Sequence, residues 1–145
     1  MSQQLEAQVS IRIEGHPAEV WRALTTPELI SEYLHGTKVK TDWKVGSPIT
    51  YEGEWQGKKY EDKGKILQLV PEKVFQSTYW SSMGGKEDKP ENYNKVTYTL
   101  SRLDGETLVT LIQDNIGSEK EKEQMESNWK GVLEKLKEVV EKIDA

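Results

Sequence analysis

SEKEKEQMESNWKGVLEKLKEVVEKI, residues 118–143, is the stretch whose reading decides the arrangement of the whole chain. Its large apolar residues are Met125, Trp129, Val132, Leu133, Leu136, Val139, Val140 and Ile143, at steps of 4, 3, 1, 3, 3, 1 and 3. That spacing draws a single apolar stripe along an α-helix. Ser118 and Glu121 form an S-x-x-E capping box at its start, with Gly117 just before. Glu126 with Lys130, and Glu138 with Lys142, are supporting i,i+4 pairs on the flanks. A helix of this length runs to roughly 40 Å. Being one-sided, it needs a broad apolar surface to lie on, and a curved sheet is the expected partner.

The remaining sequence supplies that sheet. Leu5 to Ile13 alternates apolar and polar, the pattern of a half-buried strand. After Gly15-His16, Pro17 opens a short helix carrying Val20, Trp21 and Leu24. Thr26-Pro27 opens a second with Leu29, Ile30, Tyr33 and Leu34. Pro27 would disrupt a continuous ladder, so two helices are expected rather than one. From Gly36 to Asn115 the punctuation is that of an antiparallel meander. Strands are expected at Ile49–Trp55, Lys59–Val70, Val74–Trp80, Tyr93–Leu103 and Glu106–Asn115. Gln56-Gly57 and Asp104-Gly105 serve as tight turns, and a bulge is expected at Gly64. The polar run Ser81 to Asn92 reads as a mobile loop. The order is strand, helix pair, about six strands, long helix.

At 145 residues the chain is expected to be one domain, 1–145, large enough for a real core. Leu, Ile, Val and Phe make up about a fifth of it, and five Trp and six Tyr add apolar area. A net charge of -5 favours solubility and argues against nucleic acid. The absence of cysteine excludes a disulfide framework and thiolate chemistry, and suits a reducing cytoplasm. MSQQLEAQV has no apolar run long enough for a signal peptide, and nothing approaches the ~20 apolar residues of a membrane span.

The segments HPAEVWRALTTPELISEYL, DWKVGSPITYEGEW, GKILQLVPEKVF and NWKGVLEKLKEVVE resemble, in order and spacing, the homologues of the heat-shock-protein ATPase activator. These belong to the START-like, helix-grip superfamily, which also holds the birch pollen allergen. The resemblance covers roughly residues 5 to 143, and its motifs specify fold more than activity. It implies an α+β helix-grip fold. A curved antiparallel sheet of six to seven strands wraps around the long C-terminal helix, with two short helices after the first strand. Several positions depart from the family pattern. Tyr33 stands where members usually carry Trp. Asn128 replaces a common Gly, while Met125 and Gln113 occupy positions often held by His. Chemistry relying on those histidines is therefore not expected here.

In this fold the sheet and helix can leave an apolar cavity carrying a few polar groups. Period-two phasing turns Ile49, Tyr51 and Trp55 inward, then Val96, Tyr98 and Leu100, then Val109, Leu111 and Gln113. Trp80 and Met125 are added, although the strand of Trp80 lacks clean alternation. Trp129 and Leu133 face them from the helix. The candidate ligand-binding residues are thus Tyr51, Trp55, Trp80, Tyr98, Leu111, Gln113, Met125, Trp129 and Leu133. The plainer alternative is that these side chains simply fill a core.

A metal site is not expected, since His16 and His35 are the only histidines and neither has a spaced carboxylate partner. No G-x-S-x-G elbow exists. Asp62 and Asp114 are candidates for an acid–base pair near the cavity. The acidic start of the last helix, SEKEKEQ, reads as a solvated surface. Gly131 sits opposite the apolar stripe without an evident reason. The expected function is binding of an apolar or aromatic small molecule, lipid-like or polyketide- and flavonoid-like, with no cofactor. One alternative is a chaperone-associated or stress-response interaction protein. It is weakened because the eukaryotic activators carry a further N-terminal domain and this chain begins at the first strand. The other is an enzyme acting on a polyketide-like ring.

Overall fold

The capping box forms at the start of the long helix. In the computed structural model, which describes residues 5–34, 36–81 and 87–143, helix α3 spans Glu119–Ile143. The Ser118 hydroxyl accepts from the Glu121 N–H at 3.2 Å, and the Glu121 carboxylate reaches back to the Gly117 N–H at 3.3 Å. Before α3 come β1 (Leu5–Glu14), α1 (Pro17–Thr25), α2 (Pro27–Tyr33), β2 (Lys38–Thr41) and β3 (Pro48–Trp55). Then follow β4 (Lys58–Val70), β5 (Val74–Tyr79), β6 (Asn94–Leu103) and β7 (Glu106–Ile116). Seven antiparallel strands make one curved sheet in the order β1-β7-β6-β5-β4-β3-β2. The short edge strand β2 is the one strand that alternation in the sequence did not single out, and a 3-10 turn at Pro90–Asn92 falls in the stretch read as a loop.

Each proline starts its helix at the first position. Thr26 is the N-cap residue of α2 as expected, but its side chain makes no capping bond. The Gln56-Gly57 turn has φ 50° and 81°, the two positive angles that let a two-residue hairpin follow the sheet twist. At Gly64 a Cβ would lie 1.7 Å from the Thr78 carbonyl oxygen, so close backbone approach requires glycine there. The Lys65 N–H goes to the Thr78 hydroxyl at 2.9 Å instead of to a ladder carbonyl. The register shift itself falls two residues on, between Ile66 and Gln68.

α3 lies along the edge strand β1 as well as over the concave face. The Gln8 N–H donates to Glu126 and the Glu14 N–H to Glu141, both at 3.0 Å. Six residues of strand and fifteen of helix each advance roughly 20 Å, so the two contacts keep step. Helical carboxylates thereby occupy strand N–H groups that an open edge would offer to another chain. Ile13, Val20, Ile66, Val109, Leu111, Leu136 and Val140 are all at or within 1% of full burial and form the centre of the core. No helix among the described residues is long and apolar enough to cross a membrane.

Candidate functional site

Alternation along the strands turns one face of the sheet toward α3, and this face differs from end to end. Around Ile13, Val109 and Leu100 it is mainly apolar, with the buried Thr107 hydroxyl donating to the Gly15 carbonyl, and it shares a core with Leu136 and Val140 of α3. Toward the start of α3 it carries Gln113, Tyr98, Ser77, Tyr79, Asp62 and Tyr51 instead. The registers Val96↔Gln113, Tyr98↔Leu111, Phe75↔Tyr98 and Tyr51↔Asp62 set these residues side by side across five strands.

Trp129 joins helix to sheet at this end. Its indole N–H donates to Gln113 Oε1 at 2.6 Å, and its ring meets Tyr98 edge-on, centroids 6.3 Å apart. Tyr98 in turn stacks on Phe75 at 6.0 Å. Tyr51 meets Tyr79 edge-on at 5.7 Å, and the Tyr79 hydroxyl donates to the buried Asp62 carboxylate. Burial pushes the Tyr51 phenol up to about 12, partly countered by its hydrogen bond with Ser77. Burial also raises Tyr98 and Tyr79 well above the ordinary phenol value, helped at Tyr79 by the hydrogen bond to Asp62. Tyr33 is raised by the same cause, and its hydroxyl donates to the Ala23 carbonyl at 3.0 Å. That bond ties α2 to α1.

Two polar groups here stand out. Tyr98 is 9% exposed and Gln113 6%, yet among the described residues neither the Tyr98 hydroxyl nor Gln113 Nε2 has a hydrogen-bond partner. The one fully enclosed side-chain polar atom without a partner, among those residues, is Glu19 Oε2. Tyr98 and Gln113 therefore each keep an accessible edge near Trp129. Water or a ligand can satisfy polar edges left accessible on otherwise buried side chains, which makes the pair a candidate binding feature.

Of the residues expected from sequence, Tyr98, Gln113 and Trp129 come together, with Tyr51 one contact further along. Leu111 and Leu133 are at most 1% exposed and belong to solid core. Met125 is half-buried one helical turn before Trp129. The Trp55 side chain lies outside the described residues. Trp80 requires correction, because it stands on the opposite face of the sheet. There it stacks on Tyr93 at 6.5 Å, with the Lys63 ammonium 5.7 Å from its ring centroid and its indole N–H on the Glu87 carbonyl. Its neighbour Tyr79 takes the inward place. The misleading signal was Ser77, a polar residue at a buried position that breaks the apparent alternation of β5. Asp62 and Asp114 do not form a pair. Asp62 faces inward from β4, while Asp114, on β7 three strands away, accepts from the Lys95 N–H at 2.6 Å.

The two best-formed concavities, of about 540 and 280 Å³, are open surface depressions. They lie beside β2 at Pro27, Val39 and Thr50, and beside Tyr93, Asn94 and Asn115. Neither is the expected chamber between sheet and helix, whose centre Leu111, Leu133 and Leu136 fill. His16 takes the N-cap position of α1, and His35 lies outside the described residues. Among the described residues no group of three His, Cys, Asp or Glu is placed to hold a metal. The central part of the Ser81–Asn92 loop, residues 82–86, also lies outside them. Its far side is anchored, with Asn92 Nδ2 on the Glu87 carbonyl at 2.8 Å and Asn115 Nδ2 on that of Glu91 at 2.9 Å.

Residues 15–141 match the family model described as activator of Hsp90 ATPase homolog 1-like protein. Among solved structures, the chain is similar to ChR145 from Cytophaga hutchinsonii, at 48% identity over 97% of both chains, with a TM-score of 0.84. It is also similar to MLL2253 from Mesorhizobium loti, at 24% identity over 97% of this chain and 100% of that one, TM-score 0.75. A third likeness is to the Aha1 dimer from Colwellia psychrerythraea, at 19% identity over 94% and 96% of the two chains, TM-score 0.74. Comparison with curated proteins gives no match.

Proposed function

This chain belongs to the activator of Hsp90 ATPase homolog 1-like family, and within it we propose a small-molecule-binding protein. The ligand is a flat, largely apolar or aromatic molecule that lodges between the sheet and the first half of α3, beside Tyr98, Gln113 and Trp129. The observation that carries this reading is the pair of accessible, unpartnered polar groups, Tyr98 Oη and Gln113 Nε2, on side chains more than nine-tenths buried. A ligand bearing an acceptor would satisfy both, while the faces of Tyr51, Tyr98 and Trp129 supply apolar contact. Because Leu111 and Leu133 fill the centre, binding engages the Gln113 end and opens it further. The ordering cost of that opening makes micromolar affinity the expectation.

Thermal-shift screening of flavonoid-like, fatty-acid and sterol compounds tests the reading, alongside native mass spectrometry of the purified protein. At least one compound should stabilise, and the Trp129 indole N–H resonance should move on its addition. If no compound stabilises and no small molecule travels with the protein, the two accessible edges are only imperfect packing. The chaperone-associated role suggested by the family's name then becomes the better reading.

A further inference from the structure

The two edges of the sheet are finished differently. At β1, carboxylates of α3 occupy strand N–H groups. At the other edge, β2 pairs with β3 on one side only, and among the described residues nothing else bonds to the backbone of residues 38–41. In an antiparallel pair, alternate residues turn their N–H and C=O groups toward the neighbour. The rest face outward, here without partners. The larger surface depression, of about 540 Å³, lies against this strand, with Pro27 of α2 and Pro48 and Thr50 of β3 in its lining. A free strand edge beside a groove is the arrangement that strand addition uses.

The side chains specify the guest. Val39 is buried in the core, so Lys38 and Lys40 alternate to the opposite, exposed face. Lys38 stands opposite Glu52 in the register, and the Lys40 ammonium lies 3.3 Å from that same carboxylate. Thr50, opposite Lys40, carries no charge, and Glu54 stands opposite Lys59 of β4. One carboxylate thus answers two lysines, and this part of the edge is positive on a chain whose net charge is -5. Asp42 marks the end of the groove beyond Lys40 and Thr41. A second copy pairing antiparallel here, with buried and exposed faces matched, sets Lys38 opposite Lys40 or a lysine opposite itself. Like charges directly opposite are repulsive, whereas opposite charges support a strand pair. We propose that the β2 edge docks an extended acidic segment of a partner protein, added as an eighth strand with its carboxylates opposite Lys38 and Lys40. This surface does not involve Trp129 or Gln113, so the proposal stands independently of the small-molecule reading.

The test titrates capped pentapeptides into the nitrogen-labelled full chain and follows the backbone amides of residues 38–41. The probes are Thr-Glu-Val-Glu-Val, its basic counterpart Thr-Lys-Val-Lys-Val, and the acidic peptide N-methylated either at both glutamates or at both valines. The acidic peptide should shift these amides and bind roughly tenfold tighter than the basic one, with the excess fading at high salt. Lys38→Glu combined with Lys40→Glu, both at exposed positions, should reverse that order. Only one of the two methylation phases removes N–H groups that point at β2, so one methylated form should lose at least about fivefold more affinity than the other. That arm uses the native protein and does not depend on the variant folding. Equal binding of the acidic and basic peptides would overturn the proposal. So would equal loss from the two methylated forms, which would leave charge attraction without a ladder. Peptides that leave these amides unmoved at millimolar concentration would overturn it too. Concentration-dependent broadening of the same amides without peptide would make a second copy the occupant, and would equally contradict it.

Discussion

The two ends of the concave face are built on the same strands and covered by the same helix, yet they solve different problems. At the C-terminal end of α3, Leu136 and Val140 are fully buried in the apolar core with Ile13 and Val109, and the buried Thr107 hydroxyl there donates to the Gly15 carbonyl at 2.9 Å. At the N-terminal end Trp129 is only half-buried and is fixed by a hydrogen bond to a side-chain amide, amid three inward tyrosines and a carboxylate. A folded domain gains most from close-packed apolar contact, and the first end takes that gain. Buried polar groups at the second end need partners and add less to stability, so their presence points to use. One end holds the fold together, and the other is the place proposed for a ligand.

The largest expected effect is at the solid end. Leu136→Ala should destabilise by about 2–5 kcal/mol in chemical denaturation, the cost of a cavity where no space existed. A loss under about 1 kcal/mol would erase the distinction between the ends. Alkaline titration probes the polar end through its phenols. Tyr33, Tyr51, Tyr79 and Tyr98 are all raised, Tyr51 to about 12 from an unfolded value of 10.0. The folded state holds these protons more tightly than the unfolded state does. Stability should therefore be unaffected by these groups below pH 10 and fall between about 10 and 12, faster than one tyrosine alone would cause. Phenolate absorbance measured against unfolding should show ionisation of these groups arriving with loss of structure.

Trp129→Phe keeps a ring against Tyr98 but leaves Gln113 Oε1 without its donor, and should cost roughly 1–2 kcal/mol. An effect as large as that of Leu136→Ala would mean that the two ends are equally structural. Smallest is Gly131→Ala. Nothing lies within 4 Å of a Cβ built there, so the exchange should stabilise by up to about 1 kcal/mol in thermal unfolding. The structure gives no reason for the glycine.

Legibility in the sequence followed the same division. The apolar end was readable because its signals are periodic. The stripe of α3 and the alternation Ala7, Val9, Ile11, Ile13 identify faces without knowledge of partners. At the polar end, Tyr98 and Gln113 inherit their phase from well-patterned β6 and β7, and were placed correctly. Tyr79 and Trp80 were exchanged because Ser77 hides the period of β5. Whether Leu111 and Leu133 leave space or fill it depends on how closely helix and sheet approach, a distance that no residue pattern encodes. The four-residue strand β2 was too short to show any period.

The most direct measurement of the central claim is a two-dimensional NMR titration of uniformly nitrogen-labelled protein with a hydroxylated aromatic ligand, following side-chain signals. The account predicts that the Trp129 indole N–H and the Gln113 amide protons shift together and saturably at micromolar to sub-millimolar ligand, while backbone signals of Leu136 and Val140 hold still. Shifts confined to the outer-face cluster of Trp80 and Tyr93, or spread evenly along α3, would contradict it.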